Sequence, residues 1–321
     1  MNRPILQRVE IPTPSSDGPV NVFILKGDAI VLIDTGPFTR PGVELLRGAL
    51  RRLGAQIKHI DAILLTQAHV DHFGMAAVLN DRCNAVVCAG AAEQELIEDY
   101  PAAYLRQTRT IGDYAEHNGF PAALFRRVAG LERGVIGCAR PLRLDVGVRD
   151  GQMLDFGNVS LRVLQTPGLP FGGVCYYEPR QRALFSGDLV TERPSPTVYF
   201  NGYAPAGRRV GLSFYLKSLR RLRALAVRRL CPGHSRHAAR VKSAAGNQEQ
   251  RSRITQRRVL RALRQSPKTA FAVTDEISKA SRVGDCWRAF AGTLGVLEYL
   301  QRKLKVRSET DAQGQLTYVL R

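Results

Sequence analysis

Apolar and polar positions fall into short runs over the first 190 residues. Val20 to Gly27 (VNVFILKG) and Ala29 to Gly36 (AIVLIDTG) predict two strands joined by a turn at Gly27-Asp28. Val43 to Leu53 puts Leu45, Leu46, Ala49, Leu50 and Leu53 on one helical face. Ile60 to Thr66 (IDAILLT) is the apolar run of a buried strand; His72 to Asn80 reads as a short helix and Asn84 to Cys88 as another strand. From Ala91 to about Ala129 the pattern is mostly helical, broken by Gly112, Gly119 and Pro121. That stretch is longer than a simple connection and is expected to cover something. Strand patterns resume at Gln152–Leu154, Val159–Gln165, Gly173–Tyr177 and Ala183–Ser186. Leu212 to Arg229 predicts a basic amphipathic helix ending before Cys231-Pro232-Gly233.

The character changes near Val241. The polar run KSAAGNQEQR opens a helix or forms a linker. Helical patterns follow at about Arg253–Gln265, Val273–Ser281 and Cys286–Leu304, then two short strands, Lys305–Glu309 and Leu316–Leu320. Three helices closed by a hairpin are the outline of a winged helix. The expected division is 1–240, with a helical insert at about 91–129, and 241–321 as a small winged-helix-like domain.

Composition adds a charge to explain. The 321 residues hold 47 Lys+Arg and 28 Asp+Glu, so 47 − 28 = +19. Such a charge favours anionic partners: nucleic acid, acyl-thioester carriers or a membrane surface. However, 39 of the 47 are Arg, a skew that genome composition alone can produce. Residues 236–321 hold 18 basic and 7 acidic side chains, net +11, so over half of the excess sits in the C-terminal quarter. No apolar run approaches the roughly 20 residues of a membrane span, and Met1 to Pro14 lacks the apolar stretch of a secretory signal. The six Cys form no CxxC pair and read as reduced thiols of a cytoplasmic protein.

The sharpest chemistry lies in Thr66-Gln67-Ala68-His69-Val70-Asp71-His72-Phe73-Gly74, directly after the buried strand. Side chains at a strand end converge on one point, and two imidazoles with a carboxylate suit zinc or iron. Three later segments repeat the design of a strand end followed by a small-residue turn: Thr166-Pro167-Gly168-Leu169, Ser186-Gly187-Asp188 and Cys231-Pro232-Gly233-His234. Their order and spacing resemble the metallo-β-lactamase superfamily, whose pattern runs T-H-x-H-x-D-H, T-P-G-H, S/G-G-D and P-G-H. The opening LIDTG, Leu32 to Gly36, matches a further family element. The resemblance covers about residues 15–240. It implies an α/β (α+β) fold, an αββα sandwich of two mixed sheets with metals at one edge. With the C-terminal winged helix the chain is similar to a glyoxalase-II-like subgroup that includes acyl-thioesterases and single-strand ribonucleases.

Carried over position by position, the family's first metal site falls on Gln67, His69 and Leu169, so only His69 remains. The second falls on Asp71, His72 and His234, with the bridging carboxylate on Asp188, all present. The expectation is one divalent metal, zinc first with iron or manganese as alternatives, and Asp71 or the freed His69 as general base. The implied reaction is hydrolysis of a thioester or ester of a small-molecule acyl substrate. Two alternatives stay open. One is a catalytically degraded member that binds a ligand or protein. The other is a nucleic-acid-binding protein or ribonuclease using the winged helix, though the early face of its third helix is poorly equipped to read bases. That module otherwise reads as a packing, dimerisation or pocket-closing element, so a homodimer is an open expectation. Gly172-Gly173 offers backbone N–H groups to an anion or bends the chain into a strand; His59, His117 and His237 read as surface or structural. Tyr100, Tyr104, Tyr114, Phe120 and Phe125 line a substrate channel, pack the insert, or both.

Overall fold

The computed structural model describes residues 3–14, 18–168, 172–191, 211–235, 240–278, 280, 282–310, 312 and 314–321. Its first sheet runs in chain order: β1 (Ile5–Ile11), β2 (Val20–Lys26), β3 (Ile30–Ile33), β4 (Ala62–Leu64), β5 (Val86–Gly90) and β6 (Val146–Val148). The first three strands pair antiparallel and β3 to β6 pair parallel. The second sheet holds β7 (Met153–Phe156), β8 (Val159–Gln165), β9 (Val174–Glu178), β10 (Ala183–Gly187) and β11 (Arg229–Pro232), in the order 11-10-9-8-7. Only β10 and β11 are parallel in it.

The strand period of two decides how the sheets stack. Phe23, Leu25, Val31, Ile33, Ala62 and Leu64 point from the first sheet onto Val159, Leu161, Val163, Tyr176, Ala183 and Phe185 of the second. Phe23 meets Phe185 edge to face at 5.3 Å. The alternate positions Val22, Ile24 and Leu32 face a helical layer with Leu46 and Leu50 of α1 (Arg40–Arg52). Thr39 caps that helix, its Oγ1 accepting from Gly42 N–H at 3.1 Å. The outer face of the second sheet meets α7 (Gly211–Arg223) and α8 (Val241–Ala262). The layers are the expected αββα sandwich.

Short helices α2 (Val70–Phe73), α3 (Ala76–Cys83) and α4 (Gln94–Glu98) cluster on the first sheet, and the insert forms α5 (Ala102–His117) and α6 (Ala122–Arg133). The C-terminal segment continues with β12 (Lys268–Thr269), α9 (Ala270–Ile277), α10 (Val283–Arg302), β13 (Val306–Thr310) and β14 (Leu316–Leu320), its strands ordered 12-14-13. Insert and C-terminal segment share one aromatic cluster. The Phe120 ring lies 5.3 Å from Phe271, 5.5 Å from Trp287 and 4.6 Å from Phe290, and Phe125 lies 5.4 Å from Trp287. Tyr114 Oη donates to Glu298 at 2.9 Å and Tyr318 Oη to Asn118 Oδ1 at 2.7 Å.

Several boundaries differ from the sequence reading. α7 stops at Arg223, and Arg229 opens β11 instead of closing a helix, because parallel pairing with Ala183 outweighs helical periodicity. The polar run after Val241 is helical throughout, since Ala244, Ala245, Gln248 and Ser252 form its buried face. Gln248 is accommodated there by accepting from Tyr215 Oη at 2.7 Å and donating to Thr191 O at 3.0 Å. Leu45, on the predicted apolar helical face, is exposed, and so is Leu304, the predicted end of the last helix, which follows α10 with a left-handed φ of 55°. β1, β6 and β12 have no counterpart in the sequence reading.

Candidate metal centre

Parallel strands set their carboxyl ends side by side, and four such ends build this site. In the first sheet β3 ends just before Asp34, and β4 leads through Thr66, Gln67 and His69 into α2, which carries Asp71 and His72. In the second sheet β10 ends before Asp188, and β11 ends before Gly233 and His234. Gly233 N–H donates to Gly187 O at 2.7 Å, which fixes the two turns together.

Asp71, His72 and His234 each present one ligand atom within 4.8 Å of the others. Asp188 lies alongside, Oδ2 3.1 Å from His72 Nε2 and Oδ1 3.6 Å from His234 Nε2. His234 Nε2 is 3.1 Å from Asp71 Oδ2. Both imidazoles are oriented from behind. His72 Nδ1 is 2.8 Å from Asp34 Oδ2 and His234 Nδ1 is 3.0 Å from Pro19 O. A carboxylate and a carbonyl only accept, so each Nδ1 carries its hydrogen and each Nε2 faces the centre.

Burial opposes charge on His234, but Asp188 and the hydrogen bond to Asp71 prevail and hold the imidazole up at about 9. His72 is likewise raised, against burial, by Asp188, Asp34 and Asp71. Burial also opposes ionisation of Asp188 and Asp71; the imidazoles outweigh it, and both carboxyls are lowered, Asp188 far below the usual carboxylate range. Two carboxylates and two imidazoles with two cationic protons among them are the donor set that a divalent cation would take over.

Two details test the fit. Asp188 Oδ1 is buried without a hydrogen-bond partner among the described residues, a costly state for a carboxylate oxygen and one that a cation relieves. A Cβ on Gly233 would stand 2.7 Å from both Asp188 Oδ1 and His72 Cε1, so glycine there keeps the space between ligands open. The donor set fits a divalent ion with carboxylate–histidine support behind it.

A sequence profile of the metallo-beta-lactamase superfamily matches residues 16–234. The chain belongs to the metallo-beta-lactamase superfamily. Among superfamily relatives, it is 26% identical over 303 residues to the probable metallo-hydrolase YqjP of Bacillus subtilis (strain 168), across 94% of this chain and 93% of that protein. The crystal structure of the metallo-beta-lactamase family protein TTHA1429 from Thermus thermophilus superposes with a TM-score of 0.79 at 27% identity, covering 98% of both chains. A beta-lactamase domain protein from Burkholderia ambifaria shares the fold, with a TM-score of 0.83 at 19% identity over 98% of this chain and 92% of that one.

The remaining predicted superfamily positions separate clearly. His69 is half-buried, its ring 6.5 Å from that of His72, and its imidazole has no hydrogen bond or ion pair with any described residue. Gln67 is buried, and its Nε2 donates to Asp188 Oδ2 at 2.6 Å. Leu169 and His237 lie outside the described residues. His59 and His117 are exposed. Gly172 N–H is not free for a substrate anion: it donates to the buried carboxylate of Glu93 at 2.9 Å. Tyr114, Phe120 and Phe125 pack against the C-terminal helices.

Three supporting residues carry no ligand motif and went unassigned in the sequence. Asp34, a non-glycine residue at φ 58°, accepts from Thr66 N–H at 2.8 Å as well as from His72. Asn21 Nδ2 donates to Pro232 O and Ser235 O, both at 2.9 Å, and fixes the turn bearing His234. Glu93 is the third. A residue tolerating a left-handed backbone inside LIDTG was the one readable signal, and it pointed to Asp34.

Proposed function

We propose that the chain is a cytoplasmic hydrolase of thioester or ester substrates, holding one divalent ion, zinc first, between Asp71, His72 and His234 with Asp188 beside them. The observation that carries a single ion is the Gln67 amide. Its N–H group donates to Asp188 Oδ2, on the bridging carboxylate that a second ion would need. With His69 the lone surviving ligand of the first site, a second ion lacks donors.

An ion so held supplies Lewis acidity, lowering the pKa of water and polarising an acyl oxygen. The chain's own residues do the rest. Gln67 holds Asp188 in one orientation. The His69 imidazole, without a hydrogen-bond partner among the described residues, takes a proton from the attacking water at a ring nitrogen, with Asp71 as the second base on this face. As the water oxygen bonds to the acyl carbon, the carbon–sulfur or carbon–oxygen ester bond breaks, and the leaving thiolate or alkoxide collects the proton stored on His69. The products are a carboxylic acid and a thiol or alcohol.

The test is elemental analysis of protein purified without added metal, together with turnover on a panel of thioesters and esters. One equivalent per chain is expected, and Asp71→Ala removes both metal and hydrolysis. Substoichiometric metal with no turnover would favour the degraded, ligand-binding family member instead. A second reading rests on α8 and the turn after it, where Arg251, Arg253, Arg257, Arg258, Arg261 and Arg264 are exposed with no carboxylate partner among the described residues. We propose that this segment is part of a winged helix; nucleic-acid affinity falling steeply with salt, and lost when Arg257 to Arg264 are neutralised, would support that use.

A further inference from the structure

Glu93 is a fully buried carboxylate that the proposed reaction does not use, 2% exposed and just past the end of β5. Its two oxygens serve two different loops. Oε2 accepts from Ala68 N–H at 2.9 Å, between Gln67 and His69. Oε1 accepts from Gly172 N–H at 2.9 Å, in the turn that leads into β9. The first loop belongs to one sheet and the second to the other. Below this carboxylate the sheets are already joined, by Val174 N–H to Thr66 O at 3.0 Å and Tyr176 Oη to Leu65 O at 2.9 Å. Glu93 therefore completes a row of links between the sheets at the edge where the metal ligands stand.

The glycines confirm how closely the loops meet. A Cβ on Gly172 would overlap Glu93 Oε1, and a Cβ on Gly90 would overlap Gly172 O. Two backbone N–H groups converging on one point form an anion-binding concavity. Here it is filled from within the chain, so it serves alignment and not substrate. Burial pushes the Glu93 carboxyl up; Ala68 N–H, the nearby His69 and Gly172 N–H oppose that push.

We propose that Glu93 is a positioning residue: by tying the Gln67–His69 loop to the loop before β9, it sets where the His69 imidazole stands beside the metal centre. The tie stands on geometry alone; only its effect on turnover rests on the function proposed above. Glu93→Gln keeps the shape but replaces one accepting oxygen with an NH2 donor, so one backbone N–H loses its partner.

The experiment is amide hydrogen exchange and histidine NMR on the full chain, wild type and Glu93→Gln, with turnover measured alongside. In the variant, exchange should speed by about tenfold or more at whichever of Ala68 and Gly172 loses its acceptor, as expected for losing a hydrogen bond to a charged group, while Leu32 in β3 is unchanged. The ring resonances of His69 should move and those of the exposed His59 and His117 stay. With a hydrolysed substrate in hand, kcat should fall with KM kept. Unaltered exchange at both amides, or a fixed His69 signal, overturns the proposal. Absence of hydrolysis in the wild type would instead count against the proposed function and leave the exchange result decisive. If Glu93→Gln fails to fold, wild-type exchange decides: slow amides at Ala68 and Gly172 support the tie and fast ones overturn it, with Gly172→Ala as the second variant.

Discussion

Replacing Asp34 by Asn should weaken metal binding without unfolding the protein. The change is isosteric, and Asn is among the few residues that accept a φ of 58°. The two Asp34 oxygens serve different backbone-fixed donors: Oδ1 takes Thr66 N–H at 2.8 Å and Oδ2 takes His72 Nδ1–H at 2.8 Å. Asn has one oxygen for these two. If it stays on Thr66, an amide N–H faces His72 Nδ1. A neutral His72 must then move its hydrogen to Nε2, the atom that faces the centre. The lost hydrogen bond to a charged group is worth about 1.5–3 kcal/mol. Loss of such a supporting partner costs roughly 10–100-fold in metal affinity, or about 1.4–2.7 kcal/mol. The two figures agree. The assay is titration of metal-free protein with zinc against a chromophoric chelator, with near-ultraviolet circular dichroism as the fold check. A folded Asp34→Asn chain that binds zinc as tightly as wild type would refute the claim that Asp34 sets the His72 tautomer.

Four further outcomes follow from the same geometry. Gly233→Ala puts a methyl 2.7 Å from Asp188 Oδ1 and from His72 Cε1; metal content after purification should fall well below that of wild type while the melting temperature of the metal-free protein changes little. Metal affinity should rise with pH, by about tenfold per unit for each proton displaced, up to at least about 9, since His234 keeps its proton to that pH and His72 is raised as well; a flat profile from pH 6 to 9 would contradict it. The sign reverses for the metal-free protein. His234 is raised on folding, so its contribution to stability is complete below about 6.5 and lost as pH climbs through about 9, which denaturant unfolding across that range would register. Phe290→Ala, at a fully buried ring in the shared aromatic cluster, should cost about 3–5 kcal/mol in denaturant unfolding.

Much of this could be read before any coordinates, because the relevant information is local. Asp71 and His72 sit in one turn of chain after a buried strand, and Asp188 and His234 each follow a strand within three residues. Alternation along β2 and β8 carries the sandwich in the same way. The supports are different. Glu93, Ala68 and Gly172 are far apart in the chain, and a carboxylate shared by two backbone N–H groups leaves no periodic trace. Gln67 was legible as a missing ligand, but its bond to Asp188 was not, since it depends on how two sheets register. The end of α7 was misplaced for a related reason. Arg220 to Arg229 keeps a helical rhythm, and only pairing with β10 shows that its last residue belongs to a strand. Leu304 continued a true spacing beyond the end of α10, to the residue where the backbone turns left-handed.

The aromatic cluster has a consequence for synthesis. Phe120 and Phe125 leave the ribosome long before Phe271, Trp287 and Phe290, the rings that cover them. At about 5–20 residues per second, the stretch from the insert to the end of α10 takes roughly 10–35 s to make. Through that interval the nascent sandwich exposes an oily face that the finished protein hides. The ordering of the chain thus creates a time window for aggregation and chaperone binding that ends only when α10 docks.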